Sequence, residues 1–279
     1  MGGAQHREEA PWYVEPVFVV AIAELNGAIE AEAAVLAADL GCTAYDARLL
    51  LAPGLPAIVR TTPDREQALQ LLAQVRARGH GAVACDTAAV VGSGAMVSMR
   101  RFRLGPEAIG LDDLPTESLP YDDVLALLAA VHRSRTDTAT QSSERKFSVS
   151  RALMTSGLAM SRTVKKETHA ATEERDRVVY VFRRSGATPW LLREHGTAWA
   201  GHGKPLAPSE SENFRVAVAS LRERAPGATF DERLVTRRAP ERTALSGSIG
   251  TSTVKTSSDG AVDLLAHVLG LWLARSASQ

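Results

Sequence analysis

Cysteine is scarce in this sequence: Cys42 and Cys85 are the only two in 279 residues, and they are 43 positions apart. That usage is typical of a reducing compartment, so we expect two small buried side chains rather than a disulfide framework, a zinc site or a redox centre. No apolar run reaches the roughly 18 residues that a membrane-spanning helix needs. Residues 1–15 lack the apolar core of a signal peptide. We therefore predict a cytoplasmic protein with an N-terminal tail over residues 1–15.

Motifs that carry common enzyme chemistry are also missing. There is no Gly-x-Ser-x-Gly elbow, no combined Cys–His motif and no His-x-x-x-His pair. The stretch Gly201-His-Gly-Lys204 is not a phosphate-binding loop, because Ala198 stands where the first glycine belongs and Pro205 replaces the Ser or Thr. His195 and His202 are seven positions apart rather than four, so they do not form a metal pair on one helix face. The sequence predicts no catalytic residue, no cofactor and no metal, in a protein that is not an enzyme.

Neither sign of charge dominates, since 32 Lys and Arg balance 32 Asp and Glu. This balance excludes a uniformly basic binder, so nucleic acid is not an expected partner. The charge is nevertheless uneven along the chain, with a net −8 over residues 1–132 and a net +8 over residues 133–279. Such asymmetry is typical of an interaction segment, of attraction between parts of a molecule or between copies of it, or of solubility alone.

Residues 16–86 have the pattern of a small β-α-α-β-α-β module. An apolar, β-branched run over residues 17–25 predicts a buried strand, and two helices, a strand, a helix and a last strand follow. Thr43 and Asp46 predict a capping box at the start of the second helix. Thr62-Pro63 is typical of the start of the third helix, with proline at its first position.

This module resembles the C-terminal domain of ribosomal protein L7/L12 and the related ClpS-like fold. Residues 41–51 carry the resemblance, being similar to that family's Gly-Leu-x-Glu-Ala-Lys-x-Leu-Val turn and helix, and the strand over 55–59 and the helix over 64–79 follow in the same order. The resemblance implies a non-catalytic module that binds other proteins through helix faces. The ribosomal domain meets translation factors with lysines of its first helix, which here carries acidic residues and alanines, so no binding residue carries over.

Residues 95–240 predict a second, mostly antiparallel β domain that a helix closes. Short strands are predicted over residues 99–104, 108–111, 178–184 and 189–193. Residues 124–131 fit either a helix or a strand. Ser209 and Glu212 form a capping-box pattern at the start of the closing helix. The order of elements resembles a pleckstrin-homology-like (PH-like) domain, with a small β-barrel or an open α+β sheet as the alternative.

Residues 136–176 form a basic insertion in this domain, rich in Ser, Thr and Ala, with apolar residues between the cations. As a helix, this segment would be weakly amphipathic and basic, a pattern that fits a membrane surface or a partner protein. The alternative is a flexible insertion that partly covers the sheet. The candidate partner-binding residues are Arg145, Lys146, Arg151, Arg162, Lys165 and Lys166.

One basic face of the sheet, able to hold an anionic ligand or a nucleic acid, can be formed by five arginines: Arg100, Arg101, Arg103, Arg183 and Arg184. Two acidic pairs, Asp112-Asp113 and Asp122-Asp123, lie near these arginines in the sequence. Because adjacent residues point apart, we expect the acidic pairs to cap turns rather than to form a paired-carboxylate site.

Residues 243–259 have the composition of a Ser/Thr/Gly linker, and residues 260–275 predict a strongly apolar helix after it. The apolar face of such a helix has to be buried. It can fold back on its own chain, pair with a second copy in a homo-oligomer, or enter a partner groove or a membrane. The residues that a partner would contact are Leu265, Leu269 and Trp272.

The sequence as a whole predicts an α+β protein, with a small module, a β domain and a tethered C-terminal helix. The expected function is non-enzymatic protein–protein interaction, as a scaffold or adaptor with a protein partner. One alternative is a peripheral anion- or lipid-binding protein that uses the basic insertion. A second alternative is an enzyme without a recognisable local motif.

Overall fold

A computed structural model describes residues 16–147, 161–237, 239–248 and 251–278 of the chain. The predicted tail over residues 1–15 and the candidate residue Arg151 lie outside the described residues. The chain is of the α+β class, as the sequence predicts. It divides into two compact units, Met1–Val91 with Leu264–Gln279 and Gly92–Asp263.

The first unit has the β-α-α-β-α-β order that the sequence predicts. Its elements are β1 (Phe18–Glu24), α1 (Ile29–Leu40), α2 (Ala44–Leu51), β2 (Ala57–Thr62), α3 (Arg65–Ala77) and β3 (Gly81–Asp86). The three strands form one antiparallel sheet in the order β2-β1-β3. The apolar run of β1 is explained by this central position, because Val19–Ala23 is buried on both faces of the sheet.

Local side-chain chemistry fixes the helix ends of the first unit. The capping box at α2 is confirmed, since the Asp46 N–H donates to Thr43 Oγ1 at 3.1 Å and the Thr43 N–H donates to Asp46 Oδ2 at 3.2 Å. Helix α3 has Asp64 as its N-cap rather than Thr62, because the Asp64 carboxylate accepts two backbone N–H groups of the first turn. Gly41 ends α1 at a φ of 63°, in the left-handed region that glycine adopts without strain.

Over its described residues, the second unit contains two sheets, two α-helices of its own and the start of a third α-helix. Its elements are β4 (Val97–Ser98), β5 (Phe102–Leu104), β6 (Ala108–Leu111), β7 (Ser118–Pro120), β8 (Val124–Phe147), β9 (Ser161–Arg183), β10 (Trp190–Arg193), α4 (Glu210–Arg224), β11 (Thr229–Glu232), the short α5 (Arg233–Thr236), β12 (Arg242–Ser248), β13 (Thr251–Ser257) and α6 (Asp259–Ser276). The small sheet has the order β5-β6-β7. The large sheet has the order β12-β13-β8-β9-β10-β4, and β11 also pairs with β8.

The large sheet and α4 enclose the core of the second unit. Residues 124–131, which fit a helix or a strand in the sequence, form the start of β8. Five of the buried core side chains are Phe102, Leu127, Val181, Trp190 and Phe214. Helix α4 begins as predicted, because Ser209 Oγ accepts the Glu212 N–H at 3.2 Å.

The structure contradicts the sequence prediction for two polar segments. Residues 136–147 and 161–176 belong to β8 and β9, so the basic insertion is neither a helix nor an irregular loop over these residues. The expected linker over 243–259 is mostly the hairpin β12–β13 and the start of α6. The reason is that threonine is β-branched and fits a pleated surface well. The pairing of β8 with β9, and of β13 with β8 and β12, also satisfies backbone groups of these polar strands without an apolar face.

The boundary between the two units falls inside α6, after Asp263. From Leu264 onward, the helix packs on the sheet of the first unit, where Val268 and Trp272 contact a cluster that includes Ala21 and Val83. Side chains alternate across a strand, so this face of β1 and β3 is the one opposite α1–α3. In the part of the chain that the structure describes, no helix combines the length and the apolarity needed to cross a membrane.

Candidate functional site

Strands β8 and β9 are far longer than the usual five or six residues. They pair without interruption from Ala126 and Phe182 to Phe147 and Ser161. A row here is the set of residues that lie directly opposite one another across neighbouring strands. We call residues 132–147 and 161–177 the arm, because the rows closer to Val124 and Arg183 belong to the core of the second unit. At about 3.4 Å per residue, the arm is about 50 Å long. Hairpin β12–β13 widens it to four strands, since β13 pairs with β8 over residues 134–140.

The register of the arm brings together five of the six cationic residues that the sequence singles out. Lys146 is directly opposite Arg162, and Arg145 lies in the next row. Lys165 and Lys166 are opposite Ser143 and Ser142. We call residues 142–147 and 161–166 the cationic end of the arm, which holds these five cations and one acidic residue, Glu144. Like charges opposite each other destabilise a strand pair, so an anionic partner would stabilise this end.

The structure does not leave the other candidate residues exposed. Leu265 is 2% exposed and Leu269 is 0% exposed, and Trp272 is half-buried against Gly81 of the first unit. The apolar helix therefore buries these side chains within its own chain. Of the three alternatives that the sequence leaves open, this is the one in which the helix folds back on its own chain. Leu265 and Leu269 are therefore not a free face for a second copy or a partner, which corrects their listing as partner-binding residues.

Carboxylates form ion pairs with three of the five arginines of the predicted basic sheet face. Arg101 forms an ion pair with Asp113, and Arg103 with Asp112 at 2.7 Å. Arg183 Nε donates to Asp123 Oδ2 at 2.9 Å. Asp112, Asp113 and Asp123 thus neutralise arginines across strands. Asp123 also caps a turn, as the sequence predicts, because its Oδ1 accepts the Ser185 N–H at 2.8 Å. The face offers no uniform positive charge to an anionic ligand.

A chain of buried polar side chains lies at the base of the arm. Tyr180 donates its hydroxyl proton to Asp263 Oδ1 at 2.7 Å, and Asp263 Oδ2 accepts the Ser93 N–H at 2.8 Å. The Tyr180 oxygen is therefore left to accept, and His132 Nε2 lies 2.7 Å from it as the donor. We call His132, Tyr180 and Asp263 the polar cluster. The residues are 3%, 0% and 3% exposed, so no solvent competes for these hydrogen bonds.

Burial sets the protonation states of the polar cluster. It lowers the pKa of His132, although the nearby Asp259 and Asp263 oppose that effect. Burial, together with the Asp263 charge, raises the pKa of Tyr180 well above its usual range. The cluster is therefore a neutral histidine and a neutral tyrosine that donate in sequence toward a carboxylate. It holds a helix to a sheet, and its histidine and tyrosine are both uncharged.

A cavity of about 180 Å³ lies next to the polar cluster. Asp176 is its central carboxylate, since it accepts from Arg193 Nη1 at 3.0 Å and faces His195 Nδ1 at 3.1 Å. Asp176 thus already has a partner of opposite sign in Arg193. In the described part of the chain, no group of three or more His, Cys, Asp or Glu residues is placed to hold a metal ion.

The two cysteines are separate free thiols, and both are half-buried. Burial, with the nearby Asp86, raises the pKa of the Cys85 thiol to about 11. Since the thiolate is the reactive form, Cys85 lacks the activation that a catalytic cysteine needs.

The sequence does not predict the polar cluster, because its members are separated by 48 and 83 positions. One signal was available. Asp263 interrupts an otherwise apolar helical pattern, and a buried carboxylate needs hydrogen-bond donors. The pattern alone, however, does not name Tyr180 or Ser93 as those donors.

Comparison with known proteins gives no relative: no family model, no characterised protein and no solved structure matches this chain. The resemblances to L7/L12 and to PH-like domains therefore stay predictions. The function has to be argued from the geometry above.

Proposed function

We propose that this chain is a non-enzymatic binding protein, an adaptor whose arm carries its cationic end to an acidic surface of a protein partner. The observation that carries the proposal is the register of the arm, in which Lys146 and Arg162 are opposite each other and three further cations lie within four rows. A strand pair that concentrates like charge gains stability when an anion neutralises it. A cytoplasmic location is part of the same proposal.

The length of the arm supports this role. The remaining rows of the arm, over residues 132–141 and 167–177, hold nearly equal numbers of cationic and acidic residues. The Debye length at physiological ionic strength is about 8 Å, so charges near the base do not cancel the charge at the far end of a 50 Å arm. The cationic end therefore presents its charge as an isolated patch, which favours fast and salt-sensitive association.

The first unit supports the adaptor proposal independently. On α2, Tyr45 is 67% exposed and Leu49, one turn later, is 53% exposed. These two side chains form an apolar strip on a helix face, which is the kind of surface that the L7/L12 resemblance implies for protein docking. An adaptor needs two contact surfaces, and the cationic end and this strip would supply them.

A binding assay with a soluble polyglutamate peptide tests the proposed function. The test variant replaces the five described cations of the cationic end with glutamine. The control variant replaces five exposed cations elsewhere, namely Arg48, Arg65, Lys204, Arg215 and Arg275. Both variants lose five positive charges, so only the position of the charge differs between them.

We expect wild-type protein to bind polyglutamate at low ionic strength and to lose affinity as salt is added. The variant of the cationic end should bind at least about 10-fold more weakly, whereas the control variant should stay within about 2-fold of wild type. Equal loss of affinity in both variants would show that net charge, and not the arm, determines binding. That result would refute the proposal.

A second candidate function is binding to an anionic lipid surface. It is favoured by the apolar residues that accompany the cations, beginning with Phe147 at the end of β8 and Val164 in β9. Each cation near such a surface contributes about 1 kcal/mol, and the contribution falls with salt. Co-sedimentation with phosphatidylserine vesicles, compared with phosphatidylcholine vesicles, distinguishes this candidate from the first. Salt-sensitive binding to the anionic vesicles without binding to polyglutamate would favour the lipid.

A further inference from the structure

Two strands of the arm have an open edge. The four-stranded section has the order β12-β13-β8-β9, and in the described part of the chain no strand pairs with β12 on the side away from β13. The same holds for residues 168–174 of β9 on the side away from β8, because β10 pairs with β9 only from Val178 onward. Open edges present backbone N–H and C=O groups that can pair with another strand.

The four-stranded section consists of residues 242–248, 251–257, 134–140 and 168–174, which form seven rows. Its first row ends in residues of opposite charge at the two edges. The first row runs Arg242, Ser257, Ser134, Glu174, so it has a cation at the β12 edge and an acid at the β9 edge. The seventh row ends in Ser248 at one edge and Thr168 at the other. Both edges are therefore seven residues long and span the same seven rows on opposite sides of the sheet.

Arg242 and Glu174 cannot pair within one chain. Three strand spacings of about 4.8 Å place their Cα atoms about 14 Å apart. Both side chains are exposed, and neither forms an ion pair with a described residue. The strongest contact of Glu174 is a 3.5 Å hydrogen bond from Ser134 Oγ. Each edge thus has one charge without a partner of opposite sign.

The direction and the hydrogen-bonding pattern of the edges also match. Strands β12 and β9 are antiparallel to each other, since three antiparallel pairings separate them. In an antiparallel ladder, each residue points its N–H and C=O toward one neighbouring strand only, and this alternates from strand to strand along a row. In a row of four strands, the backbone N–H and C=O groups of the two edge residues therefore either both face away from the sheet or both face the neighbouring strand inside it. If the β9 edge of one copy lies beside the β12 edge of another copy with the rows aligned, each outward N–H and C=O group faces a group with which it can form a hydrogen bond.

We propose that copies of this chain associate edge to edge, with β9 of one copy added to β12 of the next as a continuous antiparallel sheet. In this register, Arg242 is opposite Glu174 of the next copy, and Thr243 is opposite its Glu173. The other five rows bring no two like charges together. The contact joins two different edges, so every copy keeps one edge of each kind, and the assembly closes as a ring or extends as a filament.

The charges select this register over its neighbours. A shift of two residues in one direction keeps the faces of the strands but places Leu245 opposite Glu173 and Ala244 opposite Glu174. A shift of two residues in the other direction leaves Arg242 opposite Thr172. The first of these shifts also places Arg242 opposite an acid, Asp176, but that carboxylate already accepts from Arg193 Nη1 at 3.0 Å. Only the register of the existing rows pairs Arg242 with an acid that forms no ion pair with a described residue and keeps Leu245 opposite a small residue, Ala171.

Sedimentation velocity over a range of protein concentrations tests the association. We expect wild type to form species larger than a monomer as concentration rises. Arg242→Glu and Glu174→Arg should each raise the dissociation constant by about 10-fold or more, because each places like charges in one row. The double variant carrying both changes should restore association, since the pair is re-formed with its signs exchanged.

The same two variants provide a mixing test. An equimolar mixture of the Arg242→Glu chain and the Glu174→Arg chain should associate as alternating copies, whereas each chain alone does not. Circular dichroism checks that both variants are folded. A wild type that stays monomeric at its highest soluble concentration overturns the proposal, and so does a double variant that associates no better than the single ones.

A disulfide cross-link tests the register itself. In a Cys42→Ser, Cys85→Ala background, the pair Ala244→Cys with Thr172→Cys occupies one row, and the pair Leu245→Cys with Ala171→Cys occupies the next. We expect covalent dimers and larger species from at least one of these pairs. The matched control, Ala244→Cys with Ala170→Cys, is displaced by two residues and should cross-link at least about 10-fold more slowly. Equal cross-linking in all three would contradict the register.

Discussion

The two ring nitrogens of His132 differ in their hydrogen bonding. Nε2 donates to Tyr180, whereas Nδ1 is buried and has no hydrogen-bond partner among the described residues. Nδ1 lies 3.7 Å from Asp259 Oδ1, which has no described hydrogen-bond partner either. A proton on Nδ1 would turn this contact into an ion pair. Burial nevertheless dominates and lowers the pKa of His132, so the fold prefers the neutral ring.

The unfolding free energy should therefore depend on pH through His132. Unfolded histidine takes up a proton near pH 6.5, while the folded ring does so only at lower pH. Stability is thus fully present above about pH 6.5 and falls as the pH drops toward the folded pKa, with a slope of up to about 1.4 kcal/mol per pH unit. Urea unfolding between pH 7 and pH 5 measures this slope.

The substitution His132→Gln is the control for that prediction. Glutamine keeps an N–H donor for Tyr180 but does not titrate, so the slope should decrease. Burial also lowers the pKa of His267, so part of the slope should remain and should disappear in the variant that also carries His267→Gln. An unchanged slope in both variants would show that other groups cause the pH dependence.

Glu194 is a buried carboxylate of the second unit that accepts hydrogen bonds from two side chains. Arg177 donates to both of its oxygens, at 2.7 and 2.9 Å, and Ser211 donates as well. The Arg177 hydrogen bonds lower the pKa of Glu194 to about 2. Its contribution to stability is therefore present above the usual glutamate pKa of about 4.5 and is lost as the pH falls toward 2.

Replacing Glu194 with glutamine should lower the unfolding free energy at pH 7 by about 1–2 kcal/mol. The value is at the lower end for a charged pair, because Arg177 is 41% exposed and solvent screens it. The control is Glu173→Gln, whose partner Arg175 is 65% exposed, and it should cost less than about 0.5 kcal/mol. Similar losses in the two variants would contradict this account.

At the scale of elements, the packing of α6 on the first unit depends on a glycine. A Cβ added to Gly81 would lie 2.6 Å from Trp272 Cη2 and 2.9 Å from Glu24 Cβ. Real Cβ atoms do not approach that closely, so β3 or α6 would have to shift. The aromatic ring is thus held at a place where β3 has no side chain.

We expect Gly81→Ala to destabilise the protein by about 1–3 kcal/mol. Trp272→Leu removes the closest atoms, so the double variant should be less destabilised than the sum of the single ones, by about 1 kcal/mol in a thermal or urea double-mutant cycle. Gly110→Ala is the control, because nothing lies within 4 Å of its added Cβ, and it should be nearly neutral. Additive effects of Gly81→Ala and Trp272→Leu would show that the ring and the glycine are not coupled.

The elements that the sequence predicts well are those whose ends have local chemistry. Helix α2 is an example, since Thr43 and Asp46 cap it within four residues. The hairpin β12–β13 is the opposite case, because its Ser, Thr and Gly residues are common to linkers and to polar strands. What makes it a strand pair is the alignment of β13 with β8, more than 100 positions earlier, and no local pattern contains that information.

The sequence also predicts only part of the candidate site. The cationic residues of the arm were visible as a basic segment, and the sequence named five that the register brings into adjacent rows. The structure adds that they lie on two paired strands. Leu265 and Leu269 show the limit, since their apolarity indicates burial but not whether the covering surface belongs to the same chain.

For the whole molecule, α6 is the element on which both units depend. Its first residues belong to the second unit, where Asp263 accepts from Tyr180 and Ser93. Its later residues belong to the first unit, where Val268 is 0% exposed beside the sheet. Each unit therefore lacks part of its interior without this one helix.

Removing residues 259–279 should accordingly loosen both units, because the sheet of the first loses its cover and Tyr180 loses its acceptor. Amide hydrogen exchange should show faster exchange in β1 and β3 and also in β9. The variant Asp263→Asn should raise exchange mainly in the second unit, and removal of residues 277–279 should change neither. Faster exchange confined to one unit in the longer deletion would contradict the prediction.

The position of α6 in the chain also has a consequence during biosynthesis. The sheet of the first unit is complete as a sheet at Asp86, but Val268, which covers its second face, is translated about 180 residues later. At 5–20 residues per second, that interval lasts roughly 10–40 seconds. Throughout it, Ala21 and Val83 remain open to water on a nascent chain that is still attached to the ribosome. The first unit is begun first and finished last, which makes it the part of this protein with the longest exposure to chaperones.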